Sequence, residues 1–280
     1  MSEYTSKHSS TPEENQKQKS KIVYYVIISI AAALLVVSLI MLCIKFFGGK
    51  EDFGGYKNLS EYSTSSNVLP SNPINFEKIR EESPDTVAWI SIPGIEDACS
   101  SYPLLKNQPI DYPIMQSTPE ADDNFYLDHD RQGKPNSAGA IYIQKLNHND
   151  FTDPNTVIYG HNMLNGSMFA QLKKFRNKEF FDAHRTIFIY TPDRILEYEI
   201  TSAFVYDNRH ILNSFNFSIE NECQEFFNDC INPKSLTKQV LEDATLTTND
   251  NIITLSPCTS NDSERYLVVA KLKTITKTAK

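Results

Sequence analysis

The chain has 280 residues, enough for one large domain or two small ones, with 27 basic and 35 acidic side chains and a formal net charge of −8. Nucleic-acid binding rests on Lys and Arg neutralising phosphates, so this acidic balance excludes it as the main role. No two histidines stand at i, i+3 or i, i+4 and Cys-x-x-Cys is absent, so neither a metal site nor a cofactor is expected.

Residues 1–21 form a short tail carrying Lys7, Lys17, Lys19 and Lys21. It leads into VYYVIISIAAALLVVSLIMLCI (23–44), 22 residues without a charge. About 20 apolar residues cross a bilayer as a helix, so residues 22–47 read as a transmembrane anchor. A cleaved signal peptide has a shorter apolar core and a small-residue cleavage site, which fits less well. The lysine-bearing tail and the large following domain favour a cytoplasmic N-terminus, with the rest extracytoplasmic at the cell membrane. Subtracting the five lysines and three glutamates of residues 1–47 leaves 22 basic and 32 acidic groups outside, a formal −10.

Residues 48–73, rich in Gly, Ser and Asn without apolar periodicity, read as a flexible stalk. Residues 74–280 have the pattern of a globular domain. Asn75 is placed to cap a short helix, FEKIREES, that stops before Pro84. Segments rich in β-branched and aromatic residues follow at 86–92, 110–115, 138–144, 155–159, 185–191, 195–207, 251–256 and 265–273. Helices are expected at 167–175 (SMFAQLKKF) and 218–231 (SIENECQEFFNDCI). Eight strands at irregular spacing with two helical insertions predict one mainly β, mostly antiparallel barrel with appended helices, rather than βαβ units. DHDRQG (128–133) opens like a calcium loop, but its twelfth position is Gly139 rather than a bidentate glutamate.

Cys43 lies in the anchor segment. Cys223 and Cys230 share an apolar stripe with Ile219, Phe226, Phe227 and Ile231 on the second helix, where thiols act as small buried hydrophobes. Seven residues of helix separate them by roughly 10 Å, beyond disulfide reach. Cys99, in the loop DACSSYP, is left open between a free thiol and a partner elsewhere.

Cys258 stands apart. In NIITLSPCTS (251–260), Pro257 lacks an N–H and holds Ser256 extended, so the strand is expected to end there and deliver a thiol at its rim. A cysteine nucleophile needs a histidine nearby in space. Of the six histidines none follows Cys258, which excludes papain-like order, and His8 falls in the tail. His161, just past the run NTVIYG, is the best placed, whereas His148 and His184 read as solvent-facing loop residues. Arg265 opens RYLVVAKLK, and a hairpin from 251–256 to 265–273 brings it back beside the thiol.

These segments resemble the sortases, membrane-anchored cysteine transpeptidases of Gram-positive bacteria. ITLSPC (253–258) is similar to the family's TLxTC signature, and ERYLVVAKL (264–272) to the strand bearing its arginine. TVIYGHNMLNGSMFAQL (156–172), DTVAWISIPG (85–94), DYPIMQ (111–116) and NFYLDHDRQGKPNSAGAIY (124–142) resemble class B. The resemblance covers about residues 74–275 and implies an eight-stranded sortase-type barrel with a helix between the sixth and seventh strands. It implies that Cys258, His161 and Arg265 are catalytic, with Ser256 and the Thr259 N–H against the substrate. The implied reaction cleaves the C-terminal sorting signal of a surface protein through a thioacyl-enzyme. The acyl group then passes to an amine of the peptidoglycan precursor, or to a pilin lysine. Pro257 stands where the family has threonine, which removes a hydroxyl. Two alternatives are an L,D-transpeptidase-like wall enzyme, whose signature places Ser-His-Gly directly before its cysteine, and a non-catalytic scaffold that only binds sorting signals.

Overall fold

The computed structural model describes residues 71–258 and 264–278, Cys258 by its backbone alone. The expected tail, the anchor at 22–47 and nearly all of the stalk lie outside the described residues, as does Thr259. Among the described residues no helix is long and apolar enough to cross a membrane. Asn72, at the end of the expected stalk, already donates to the Thr191 carbonyl at 2.6 Å.

Helix α1 (Phe76–Glu82) starts as its sequence dictates: Asn75 Oδ1 accepts the Lys78 N–H at 2.9 Å, while Phe76 and Ile79 are buried. The strands are β1 (Thr86–Ser91), β2 (Asp111–Met115), β3 (Ile141–Ile143), β4 (Asn155–His161), β5 (Thr186–Thr191), β6 (Arg194–Asp207), β7 (Lys238–Val240), β8 (Ile252–Cys258) and β9 (Glu264–Lys277). They lie in the order β5-β1-β2-β3-β4-β8-β9-β6-β7, and an additional β5–β6 pairing closes the first eight into a barrel. The eight-stranded barrel of the sequence reading is therefore present. A ninth strand, β7, pairs with Ser202–Phe204 of β6 outside the ring. Two of the barrel pairings, β2–β3 and β4–β8, are parallel, and the others are antiparallel.

Strand alternation sorts the apolar residues into two clusters. Ile253, Leu255, Val268 and Ala270 belong to the barrel interior with Ile141, Ile158, Ile187 and Ile189. Their neighbours Ile252, Leu267 and Val269 face outward, with Val157 and Tyr159, onto helix α4 (Glu220–Ile231). Cys223 and Cys230 are free thiols buried in this outer cluster, where burial pushes both pKa values up, and Cys99 is a buried free thiol in the inner one. Helices α2 (Lys178–Ala183) and α3 (Ile211–Ser214) are additions that the sequence reading lacked.

The segment expected as a helix at 167–175 is the 3₁₀ helix η2 (Phe169–Arg176). Its buried apolar residues Phe169, Leu172 and Phe175 recur every third residue, which matches three residues per turn better than 3.6. Lys174 of η2 is fully buried and donates from Nζ to the Ile95 and Asp97 carbonyls at 2.8 Å and to Asn107 Oδ1 at 3.0 Å. One ammonium thus satisfies three acceptors of the loop between β1 and β2.

Lys174→Met keeps the volume and removes the donors. It is expected to lower unfolding free energy in urea by about 3 kcal/mol, because buried acceptors lose their partners. Lys178→Met, which breaks an exposed pair with Asp182 at 2.7 Å, should change stability by less than about 0.5 kcal/mol. Equal effects would show that the three acceptors are satisfied without Lys174.

Candidate active site

The site is built on the parallel ladder between β4 and β8, which runs without a break from Asn155↔Ile252 to His161↔Cys258. His161 and Cys258 are the last residues of their strands and direct register partners. β4 is buried at every position but its last and β8 carries Ile252, Ile253 and Leu255, as parallel strands covered on both faces do. The expectation that His161 lies just past its strand is corrected by one residue.

The expectation that the ladder ends at Pro257 is half right. The Ile252 N–H donates to the Pro154 carbonyl on the β4 side, and the Asn251 carbonyl accepts Leu272 N–H on the β9 side, both at 2.9 Å. Even-numbered residues of β8 therefore direct their backbone groups at β4, and odd-numbered ones at β9. Pro257 withholds its N–H from β9 alone. The β8–β9 ladder accordingly stops at Leu255↔Val268, while the β4–β8 ladder continues to Cys258. Extended in the same register, Cys258 falls across from Arg265, the hairpin relation expected from sequence.

Gly160 pairs with Pro257 one step before the His161↔Cys258 pair. A Cβ there would collide with Ile141 Cδ1 and lie 2.9 Å from Phe169 Cδ2, so glycine lets β4 lie close to η2 without displacing either side chain.

By the same alternation His161, Ser256 and Arg265 share the outward face with Tyr159 and Leu267. Arg265 pairs through its backbone with Tyr206 of β6, and its Nη1 donates to the buried Ser256 Oγ at 3.4 Å. His161 is half-buried, with Nε2 2.6 Å from the Leu127 carbonyl oxygen. A carbonyl only accepts, so Nε2 carries the proton and Nδ1 is the nitrogen available for exchange. Leu127 ends the 3₁₀ turn η1 (Phe125–Leu127), a backbone partner that no side-chain motif announces.

His210 is a neighbour that sequence reasoning passed over. It caps α3, its ring centroid is 6.4 Å from that of Tyr159, and burial, with the Arg265 charge adding to it, holds its pKa below the usual value. His148 instead pairs with Asp153 at 2.6 Å in solvent, and His184 packs on Phe180 with ring centroids 4.3 Å apart. Asp130 Oδ1 of the calcium-like loop accepts the Gln132 and Lys134 N–H groups at 2.9 and 3.0 Å. Among the described residues no group of three or more His, Cys, Asp or Glu is arranged to hold a metal ion.

An eight-stranded barrel with a cysteine and a histidine paired at its rim and an arginine one strand away defines a sortase-type cysteine transpeptidase. A sortase-domain family profile matches residues 106–273, and the chain belongs to the sortase family. It is a class B sortase. Sortase B of Listeria monocytogenes is 35% identical over 196 residues, 69% of this chain and 71% of that protein. The crystal structure of sortase B from B. anthracis superposes with a TM-score of 0.60 at 29% identity, covering 79% of this chain and 98% of that one. That of Clostridium perfringens sortase B gives 0.58 at 28% identity, over 71% and 100%. The L,D-transpeptidase alternative falls with this match.

Gly139, at φ +56°, is where the chain presses on the Leu127 carbonyl: an added Cβ would stand 2.5 Å from that oxygen and 2.7 Å from the Tyr126 oxygen. Gly139→Ala is therefore expected to displace the acceptor of His161 and to cost about 1–3 kcal/mol. The His161 Nε2–H should give a protected downfield proton resonance in the wild type that is lost in the variant. An unchanged resonance would mean that the carbonyl holds its place by other contacts.

Proposed function

We propose that Cys258 is the nucleophile, His161 the proton-transfer group and Arg265 the oxyanion donor of a reaction on C-terminal sorting signals. The observation that carries this reading is the register pair His161↔Cys258. Cys258 Sγ attacks a backbone carbonyl of the signal. The thiol proton passes to His161 Nδ1, an S–C bond forms as the peptide C–N bond breaks, and Nδ1 delivers that proton to the departing amine. An incoming amine then attacks the thioester, gives its proton to His161, and displaces the sulfur.

Arg265 has five fixed donors. From its place across from Cys258 it supports the carbonyl oxygen as that oxygen gains charge, with the Thr259 N–H as a second donor. Its bond to Ser256 Oγ, long at 3.4 Å, orients the guanidinium without holding it tightly. The missing threonine hydroxyl at 257 has no counterpart in this scheme, because position 257 belongs to the inward row.

The anchor at 22–47 keeps residues 74–280 at the outer membrane face, where surface proteins and wall precursors meet. The acceptor we favour is an amine of the peptidoglycan precursor, and a pilin lysine is the second outcome to be tested. A scaffold role is disfavoured by the retention of Cys258, His161 and Arg265 in one register.

Mass spectrometry with a library of sorting-signal peptides should find an acyl adduct on Cys258, lost in Cys258→Ala and kept in Cys99→Ala, Cys223→Ala and Cys230→Ala. An adduct that survives Cys258→Ala would sink the assignment. Arg265→Lys keeps the charge but loses the planar fork, and turnover is expected to fall by ~10²- to 10³-fold with folding intact. Activity within about threefold of wild type, well short of that loss, would leave charge alone as the requirement.

A further inference from the structure

Where the β8–β9 ladder lapses beyond Leu255, a cleft of about 200 Å³ opens between the strands. Its lining includes Pro257 and Tyr266 of the inward rows and Arg265 of the outward one, so it passes through the gap that Pro257 creates. Its far wall is the last turn of η2, which contributes Lys173 and Arg176. Three cations thus surround a space whose single lining carboxylate, among the described residues, is Glu264.

The two η2 cations have aromatic but not anionic partners among the described residues. Lys173 Nζ lies 5.9 Å from the Tyr102 ring centroid, and the Arg176 guanidinium 4.7 Å from that of Tyr266. Burial, and after it the charge of Arg176, holds the Lys173 pKa down. A second, independent observation concerns Tyr266. The residue is only 6% exposed, lines the cleft, and its hydroxyl is buried with no hydrogen-bond partner. Buried hydroxyls are nearly always satisfied, so an unpartnered one in a residue that lines a cationic cleft is a donor without an acceptor.

We infer that this cleft binds a carboxylate carried by the amine acceptor, held by Arg176, Lys173 and the Tyr266 hydroxyl. The inference rests on the transfer reaction proposed above. A carboxylate has two oxygens and suits a planar guanidinium fork, an ammonium and one hydroxyl. The cleft is lined by Pro257 and Arg265, so a carboxylate bound there leaves the amine of the same molecule beside position 258.

The test is competition between glycylglycine and glycylglycinamide for one acyl-enzyme pool, with product ratios read by mass spectrometry so that acylation rates cancel. The wild type should favour glycylglycine by about tenfold per free amine, the scale of one charge-assisted hydrogen bond. Lys173→Ala and Arg176→Ala should each bring the ratio to within about twofold of unity, the level left when that bond is lost. Tyr266→Phe keeps the ring beneath Arg176 and should lower the ratio several-fold without lowering Tm, since no partner is lost in the free protein.

Equal use of both acceptors by the wild type, or a preference that survives all three variants, overturns the inference. So does a fall in Tm for Tyr266→Phe, or O-phosphoethanolamine outcompeting glycylglycine, which would make the site one for phosphate. A binding arm keeps the two readings distinct. In Cys258→Ala, glycylglycine but not glycylglycinamide should shift the Tyr266 ring resonances in a saturable way. Saturation there without acyl transfer to any amine in the wild type would refute the transfer reaction and leave the cleft standing. No shift at Tyr266 would refute the cleft.

Discussion

The parallel ladder between β4 and β8 is the constraint on which the rest of this structure depends. It joins segments almost a hundred residues apart in sequence, and parallel pairing at that distance needs everything between to act as the crossover. That crossover contains β5, β6, β7 and the helices η2, α2, α3 and α4, so the barrel is the means by which two strand ends become neighbours. The pairing is held at its far end as well, where the Thr254 hydroxyl donates to Asn155 Oδ1 at 2.8 Å and the Asn147 side chain accepts the Val157 N–H at 2.9 Å. A one-residue slip would put every side chain of β8 on the wrong face, and two apolar clusters resist it.

The two edges of β8 do different work. Toward β4 the hydrogen-bond ladder is complete and fixes position 258 against His161. Toward β9 it is released three residues early, because Pro257 has nothing to donate there. A rigid edge and an open edge on one strand hold His161 and position 258 together while a cleft stays open on the other side. Threonine at 257, the residue of related signatures, has the N–H with which to extend the β9 ladder. Proline makes the opening a property of the covalent chain.

Much of this was legible in the sequence. The eight barrel strands announce themselves through β-branched and aromatic runs, and Asn75 marks the start of α1. Cys258 and His161 were found because each stands at the end of such a run beside Pro or Gly, and Arg265 because a hairpin from the Cys258 strand returns to it. What was not legible has physical reasons. β7 is three half-exposed residues, KQV, with no alternation to detect. η2 has an apolar period of three, which resembles a helix until counted. α2 is only six residues long and starts from Asn177, whose side chain accepts the Phe180 N–H at 2.8 Å. The partner that orients His161 is a backbone carbonyl, and Lys173 and Arg176 come together with Tyr266 at one cleft only through folding.

The site depends on the pairing of positions 161 and 258. Register partners in adjacent strands stand on one face one strand spacing, ~4.8 Å, apart, close enough for a small adjustment to bring a disulfide together. Mild oxidation of His161→Cys followed by peptide mapping tests this directly. The account predicts a 161–258 disulfide in high yield, with no comparable cross-link to Cys258 from Asn162→Cys or His148→Cys. Failure of the 161 variant to cross-link in the folded protein, or a preference for position 162, would contradict the register and the site built on it.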